Sequence, residues 1–298
     1  MDRLKRLARV AHTWVLMRRH QHELRHLGYW SQMKAWVRNR EVPYRFLAED
    51  EVRERKRSDT VFITGSGPSV ARLSPEQWRR VEKDDSFGIN FSFLLDTVPT
   101  FHIMEDPKGL RPLFSEVLAP RRGRLSDVVW VTAKHQLQRL IHPRFAPEMF
   151  PENPKVWAFD FPPTIELERD RPFRVEDFER AIIYRGTMSV ALYLVLRLGY
   201  RRVVLLGVDL HTYDRFYDTL EEMRAFVEVA KREHHRPAVI ENGFRVHPLM
   251  IPLGRKYRPY DEYLYALNDF HCRPRGIELY VGNPDNLLCP RIPCFEDW

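Results

Sequence analysis

The sequence has no run of eighteen consecutive apolar residues, so no segment is long enough to cross a bilayer as a helix. Its N-terminus lacks the apolar core and small-residue cleavage site of a secretory signal, and a cytoplasmic protein is expected. Cysteine is scarce. Cys272, Cys289 and Cys294 form an odd set near the C-terminus, which argues against a disulfide framework, and with His271 they match no common zinc-ligand spacing. There is no internal repeat, no low-complexity tract and no RNA- or DNA-binding motif, so no nucleic-acid partner is expected. What is present is 298 residues at 44% apolar content, enough to bury the core of one large α/β domain, alone or with an appendage.

Excess positive charge is confined to one end. Residues 1 to 57 hold 15 Lys/Arg against 7 Asp/Glu, a balance of +8, while the remaining 241 hold 33 against 34, a balance of −1. Within the first segment Leu4, Leu7, Ala8, Ala11, Trp14, Val15 and Leu27 recur at roughly helical spacing, and Arg3, Lys5, Arg6, Arg9, Arg18 and Arg19 crowd much of the other surface. Such a helix suits an anionic membrane face, approached from the cytoplasm through residues 1 to 40 with their 10 Lys/Arg and 2 Asp/Glu. The other reading packs the apolar stripe on the body and leaves the arginines solvated. The run EDEVRERKRSD, Glu49 to Asp59, reads as a helix end and linker. It divides a basic helical segment, 1–57, from a body, 58–298.

In that body, β-rich runs occur at Thr60–Thr64, Ser86–Asn90, Thr100–Met104, Val128–Thr132, Val156–Phe159, Val203–Leu206 and Ile277–Val281, separated mostly by helical stretches or long connections. This alternation predicts an α/β, Rossmann-like, doubly wound and mainly parallel sheet of about seven strands. MSVALYLVLRL, Met188 to Leu198, is almost wholly apolar and predicts a buried helix stopped by Gly199. The proline-rich Phe161–Phe178 reads as an irregular connection, and residues 210–255 as a lid-like insertion.

The first strand runs into Gly65-Ser66-Gly67-Pro68-Ser69. Small residues here let backbone N–H groups approach an anion, as in the first turn of a nucleotide-binding sheet. The third glycine of G-x-G-x-x-G is replaced by Val70, and no Walker-type lysine follows, so a phosphate, a nucleotide or a plain tight bend all stay open.

ITGSGPSV, GINFSF at Gly88–Phe93, LRLGYRRVVLLGVDL at Leu196–Leu210 and LYVGNPDNLL at Leu279–Leu288 follow one another in the order and rough spacing of a known family. Across about residues 60 to 290 the chain resembles the bacterial sialyltransferases of glycosyltransferase family 42. More distantly it resembles the motility accessory factors and the 6-hydroxymethylpterin pyrophosphokinases, which also carry G-x-G-P-S. The resemblance implies a GT-A-like variant of the fold and a metal-independent, inverting transfer of a sialic acid or related nonulosonic sugar from a CMP-activated donor to a glycan hydroxyl, without a cofactor. The acceptor glycan would be lipid-linked, on the route to lipopolysaccharide or capsule. A second copy of the chain is a further candidate partner.

By resemblance, Gly65, Ser66, Gly67, Pro68 and Ser69 line the nucleotide and Asn90 contacts it. Ser66 stands where the family often has Asn, and its hydroxyl has a shorter reach. The departing phosphate needs hydrogen-bond donors and the acceptor hydroxyl needs a base. Tyr184, Arg185, Tyr213 and Tyr217 are the phosphate candidates; Arg185 can bind through two parallel hydrogen bonds. His247 is the candidate base, with His211, His234 and His235 in the same interval. FHIMEDP departs from the family by placing Glu105 and Asp106 at a strand end. With Asp209 these carboxylates suit Mg²⁺ on a nucleoside triphosphate, which keeps a kinase or pyrophosphokinase as the alternative; as helix-capping or loop-ordering acids they carry no chemistry. A non-catalytic module that docks a glycan-assembly partner through the basic arm is a third reading.

Overall fold

Runs rich in Val, Ile, Phe and Trp, bounded by charged residues, Gly and Pro, form the strands of a single sheet, because such side chains fit a pleated surface buried on both faces. The computed structural model describes residues 45–103, 116–134, 154–167, 171–212, 214–225, 227–228 and 258–298, and the backbone alone at 240–241 and 244–245. The chain divides into two units, Met1–Tyr44 and Arg45–Trp298. The first, with residues 1–40 and their membrane reading, lies outside the described residues.

In chain order the elements are β1 (Arg45–Leu47), α1 (Glu49–Arg53), β2 (Thr60–Thr64), α2 (Pro75–Lys83), β3 (Asp85–Ile89), β4 (Phe101–Ile103), β5 (Val129–Ala133), β6 (Lys155–Phe159), α3 (Val175–Arg180), α4 (Gly186–Arg197), β7 (Arg202–Leu206), β8 (Ile240–Glu241), β9 (Phe244–Arg245), α5 (Tyr260–Leu267) and β10 (Glu278–Val281). Eight strands lie in the order β1-β6-β5-β4-β3-β2-β7-β10, and β8 with β9 forms a separate pair. Every pairing in the large sheet is parallel. The fold is therefore the expected α/β, Rossmann-like, parallel sheet. From β2 the chain builds outward through β3 to one side, and β7 returns to its other side. Such a reversal leaves a crevice at the carboxyl ends of β2 and β7, where open α/β sheets take their ligands.

Sheet size and segment boundary both differ from expectation, and for one reason. Residues 45–57, grouped by charge with the basic segment, supply an edge strand and a helix of the sheet. β1 pairs with β6 in the register Arg45↔Lys155, Phe46↔Val156, Leu47↔Trp157. Val52 is fully buried. Glu49 pairs with Arg197, Arg53 donates to Arg197 O at 2.6 Å, and Lys56 donates to Gly199 O at 3.0 Å, so the C-terminal carbonyls of α4 are capped by cations of α1 and its exit. Charge counting misplaced these residues because their cations serve a helix end.

α4 is buried from Thr187 to Val195 apart from Tyr193 and stops at Gly199, whose φ of +80° ends it in the left-handed conformation. α2 starts with a capping box: Ser74 Oγ accepts from Gln77 N–H and Gln77 Oε1 from Ser74 N–H, with Pro75 as the first helical residue. The stretch Phe161–Phe178 is irregular only in part, since it adds the bridge Thr164↔Ile183 and leads into α3. The chain end closes the sheet on the β10 side. Trp298 stacks on Phe62 at 6.0 Å, and Phe295 meets the same ring edge-on at 5.5 Å.

Candidate functional site

Five of the expected site residues, Gly65 to Ser69, leave β2 at the crevice, and the structure shows what their backbone holds. Gly65 N–H donates to Leu206 O at 2.7 Å, Gly67 N–H to Gly207 O at 2.8 Å, and Ser69 N–H to Asp209 Oδ2 at 2.6 Å. Pro68 has no N–H. Three of the four N–H groups of the turn therefore bind the exit of β7. The glycines are required by the same approach: a Cβ on Gly65 would sit 2.5 Å from Gly207 O, and one on Gly67 2.5 Å from Asp209 Oδ2. Gly207 itself has φ of +62°. The backbone of the turn thus clamps the β7 exit, while Ser66 and Pro68 are half-buried.

The clamp fixes Asp209. Asp209 is 5% exposed, with Oδ2 bonded to Ser69 N–H and Oδ1 without a hydrogen-bond partner among the described residues. A buried carboxylate oxygen with no donor is rare and marks a place where a ligand group can donate. On the far side of Asp209, Asn286 Nδ2 donates to Val208 O at 3.1 Å while its Oδ1 accepts from Leu288 N–H at 3.0 Å. Asn286 thus pins the GNPDNLL turn after β10 to the same exit. Ser69, Val70, Gly207, Gly282, Asn283 and Asn286 line a small pocket there.

From β3 comes Asn90, half-buried and at φ of +51°, the one non-glycine in the left-handed region among the described residues. Asn tolerates that region better than most side chains. Its carbonyl accepts from His102 Nε2 at 2.9 Å. His102 is 1% exposed, and burial pushes its imidazole down to about 4, so the ring is neutral with the proton on Nε2. The loop after β7 closes over both turns. Phe216 N–H donates to Ser66 O at 2.9 Å, Tyr217 packs on Phe91 at 4.9 Å, and the Arg215 guanidinium lies 5.6 Å from the Tyr217 ring centre. The structure thus brings together the GSGPS turn, Asn90, Asp209 and Tyr217.

Tyr184 lies in the core, just before α4. Its ring is buried against Tyr263 and Phe173, each at 5.2 Å, and its hydroxyl donates to Arg258 O at 3.0 Å and accepts from Arg258 N–H. The expectation of a phosphate ligand is corrected to a core tyrosine whose hydroxyl ties the entry of α5. Arg185 follows as the N-cap residue of α4 and is half-buried. His211 is exposed just beyond the β7 exit. Tyr213, His234, His235, His247, Glu105 and Asp106 lie outside the described residues.

Among the described residues no group of three His, Cys, Asp or Glu could hold a metal ion, and Cys272, Cys289 and Cys294 are free thiols. Sequence reasoning missed His102, Phe91 and Asn286. The apolar frame of FHI hid a polar role for its histidine, and Asn286 sits in a segment noted for its resemblance but not for its amide.

No family model matches the chain, and no curated protein matches it. Among solved structures it is similar to a variant of sialyltransferase Cst-II in complex with CMP, at 17% identity over 79% of this chain and 85% of that one, TM-score 0.42. It is similar also to the monofunctional alpha-2,3-sialyltransferase Cst-I from Campylobacter jejuni, at 14% identity over 84% and 82%, TM-score 0.41. A variant of alpha-2,3/8-sialyltransferase CstII aligns at 15% identity over 79% and 86%, TM-score 0.39.

Proposed function

We propose that this chain is an inverting glycosyltransferase that moves a sialic acid or related nonulosonic sugar from a CMP-activated donor to a glycan hydroxyl. The observation that carries the reading is the convergence of Ser66, Asn90, Asp209 and Tyr217 at the carboxyl ends of β2, β3 and β7. Ser66, Asn90 and Asp209 fall in the segments whose sequences resemble glycosyltransferase family 42, and Tyr217 lies in the loop after the third of them. The unpaired Asp209 oxygen suits a neutral donor such as a ribose hydroxyl or an exocyclic amine, and repels a phosphate. A GSGPS turn with its N–H groups committed to Leu206, Gly207 and Asp209 favours a nucleoside monophosphate over a triphosphate, which would need several open donors. This weighs against the pyrophosphokinase alternative.

Transfer places negative charge on the leaving CMP phosphate and requires the acceptor hydroxyl to lose its proton. Tyr217 and Tyr213, with Arg185, are assigned to the phosphate, and His247 to the base. The thermal midpoint should rise with CMP, not with ATP, and be indifferent to EDTA, because a ligand that binds only the native state stabilises it. His247→Ala should keep the CMP-induced rise and lose about 100-fold in transfer, in the range for removing a general base. A midpoint that rises with Mg-ATP alone would overturn the assignment.

Residues 1–40 are assigned to an anionic membrane surface, where lipid-linked acceptors would be met. Among the described residues no helix is long and apolar enough to cross a membrane. The chain should sediment with vesicles containing anionic lipid and release as salt shortens the reach of surface charge to about 8 Å or less. Equal binding to neutral vesicles would sink this assignment.

A further inference from the structure

The strand β4 carries a histidine that no step above uses. His102 points its ring into a closed apolar setting, edge-on to Trp130 at 5.0 Å and to Phe93 at 5.9 Å. An imidazole there is costly unless its polar atoms are occupied. Only one is: Nε2 reaches Asn90 O at 2.9 Å, while Nδ1 has no partner among the described residues. A ring retained purely for packing would be better served by Phe or Leu, which bury no unpaired nitrogen. The one bond it makes goes to the residue with the most unusual backbone in the described chain.

Asn90 directly follows β3 at the crevice, and with its φ of +51° its carbonyl meets His102 of β4. A left-handed non-glycine costs free energy and persists only where surrounding contacts hold it. His102 supplies such a contact from the neighbouring strand, register-paired with Gly88 two residues before Asn90. Gly88 is part of the same device: a Cβ there would lie 2.6 Å from His102 Nδ1 and 2.6 Å from Ser92 Oγ, so only glycine lets the ring lie flat enough to reach Asn90.

We infer that His102 is a positioning residue, which through its Nε2–H holds Asn90 in the left-handed conformation and so sets the side-chain direction of Asn90 and the start of the Asn90–Leu94 turn toward the donor nucleotide. The inference about the backbone stands on Asn90 and His102 alone; its consequence for the nucleotide rests on the CMP-donor reading. Burial keeps the imidazole neutral across the physiological range, and the Asn90 carbonyl, which can only accept, keeps its proton on Nε2.

The test compares His102→Leu, which removes the donor, with His102→Gln, which keeps an amide N–H at similar reach, and with Gly88→Ala, which displaces the ring. Two readouts are taken on the full chain. The first is the backbone φ of Asn90 in unliganded protein, from NMR couplings and shifts. His102→Leu and Gly88→Ala should move Asn90 out of the left-handed region and His102→Gln should not. The second is CMP affinity by calorimetry. His102→Leu should weaken it about tenfold, the effect of one misplaced buried hydrogen-bonding group, and His102→Gln by less than about threefold. In an Asn90→Ala background His102→Leu should have no further effect on affinity, since a residue acting through another loses its effect when that other is gone. Asn90 remaining left-handed in a folded His102→Leu protein overturns the inference. So does a full additive loss in the double variant. If the wild-type chain fails to bind CMP while Asn90 responds to His102 as stated, the donor reading falls and the positioning role stands. Should His102→Leu not fold, the Gly88→Ala protein gives the same two readouts.

Discussion

Two buried aspartates at opposite ends of the sheet, Asp85 and Asp209, are built on opposite principles. Asp85, at the amino end of β3, is fully buried and accepts five hydrogen bonds. Arg57 N–H, Ser58 N–H and Tyr200 OH reach Oδ2 at 2.7, 3.2 and 2.9 Å, and Arg57 Nε and Thr100 Oγ1 reach Oδ1 at 3.0 and 3.2 Å. Asp209, beyond the carboxyl end of β7, is nearly as buried and accepts one, from Ser69 N–H. The difference separates structure from function. A carboxylate whose lone pairs are all met by the chain it joins is part of the scaffold, and here it ties the starts of β2, β3, β4 and β7 at one point. A carboxylate left half-satisfied at the crevice has an oxygen free for a ligand donor, and among the described residues His102 Nδ1 and Ser92 Oγ, toward the same end of β3 and β4, are likewise without partners.

Breaking the satisfied end should give the largest effect. Asp85→Ala would leave the buried Tyr200 hydroxyl and the Arg57 and Ser58 N–H groups without their acceptor and take the ionic partner from Arg57, and stability should fall by about 3 kcal/mol or more, as when several buried hydrogen-bonding groups are left unmet. Denaturant midpoints would measure it. Affinity for CMP per native molecule should stay near wild type, since β2 and β3 are five residues long and hold the two ends about 16 Å apart. A loss under about 1 kcal/mol would mean that the network is ornamental.

Acid should open the other end next. His102 is held near 4 in the folded chain against 6.5 for an ordinary imidazole, so the unfolded chain binds a proton that the folded chain refuses. A depressed imidazole contributes stability that is present above the unfolded value and is lost as pH falls from about 6.5 toward about 4, an upper figure of the order of 3 kcal/mol. His271, half-buried near Arg275, is shifted in the same direction and adds to the slope. Glu49, Glu51, Asp59, Glu76 and Asp127 are held below the usual carboxylate range by hydrogen bonds and nearby cations, so their loss comes at lower pH. Melting scans from pH 7 to 4 on wild type and His102→Gln should differ in slope; parallel curves would remove His102 from the account.

The scaffold end was legible in the sequence and the site end only partly so. All seven expected strands exist, because each is a short β-branched or aromatic run flanked by charge or glycine, a signal local to its own residues. The eighth, Arg45–Leu47, escaped because an edge strand of three residues carries little periodicity and sits beside a charged run that serves to cap α4. GSGPS could be picked out because a close backbone approach demands small residues, and Asn90 because the segment it sits in resembles a known family. What they approach could not be read, since the partners of Gly65, Gly67 and Ser69 lie about 140 residues away in the β7 exit. Tyr184 was misread for the converse reason: a tyrosine beside an arginine before a helix looks the same whether its hydroxyl faces a ligand or the Arg258 backbone.

The smallest expected effect on stability is the sharpest probe of the comparison. Asp209→Asn is nearly isosteric, and its remaining carbonyl oxygen can still accept from Ser69 N–H, so the clamp on the GSGPS turn survives. The amide nitrogen then stands where the unpaired Oδ1 stood, and an acceptor becomes a donor. Stability should change by less than about 1 kcal/mol, in contrast to the loss for Asp85→Ala. If Oδ1 waits for a ligand hydroxyl or amine, CMP affinity should fall about tenfold, because two donors then face each other at a buried position. Asp209→Ala removes the clamp as well and should lower both stability and affinity, which separates the two jobs of one side chain. If Asp209→Asn instead destabilised the fold as much as Asp85→Ala does and spared CMP binding, Asp209 would belong to the scaffold, and the contrast between the two ends of the sheet would be lost.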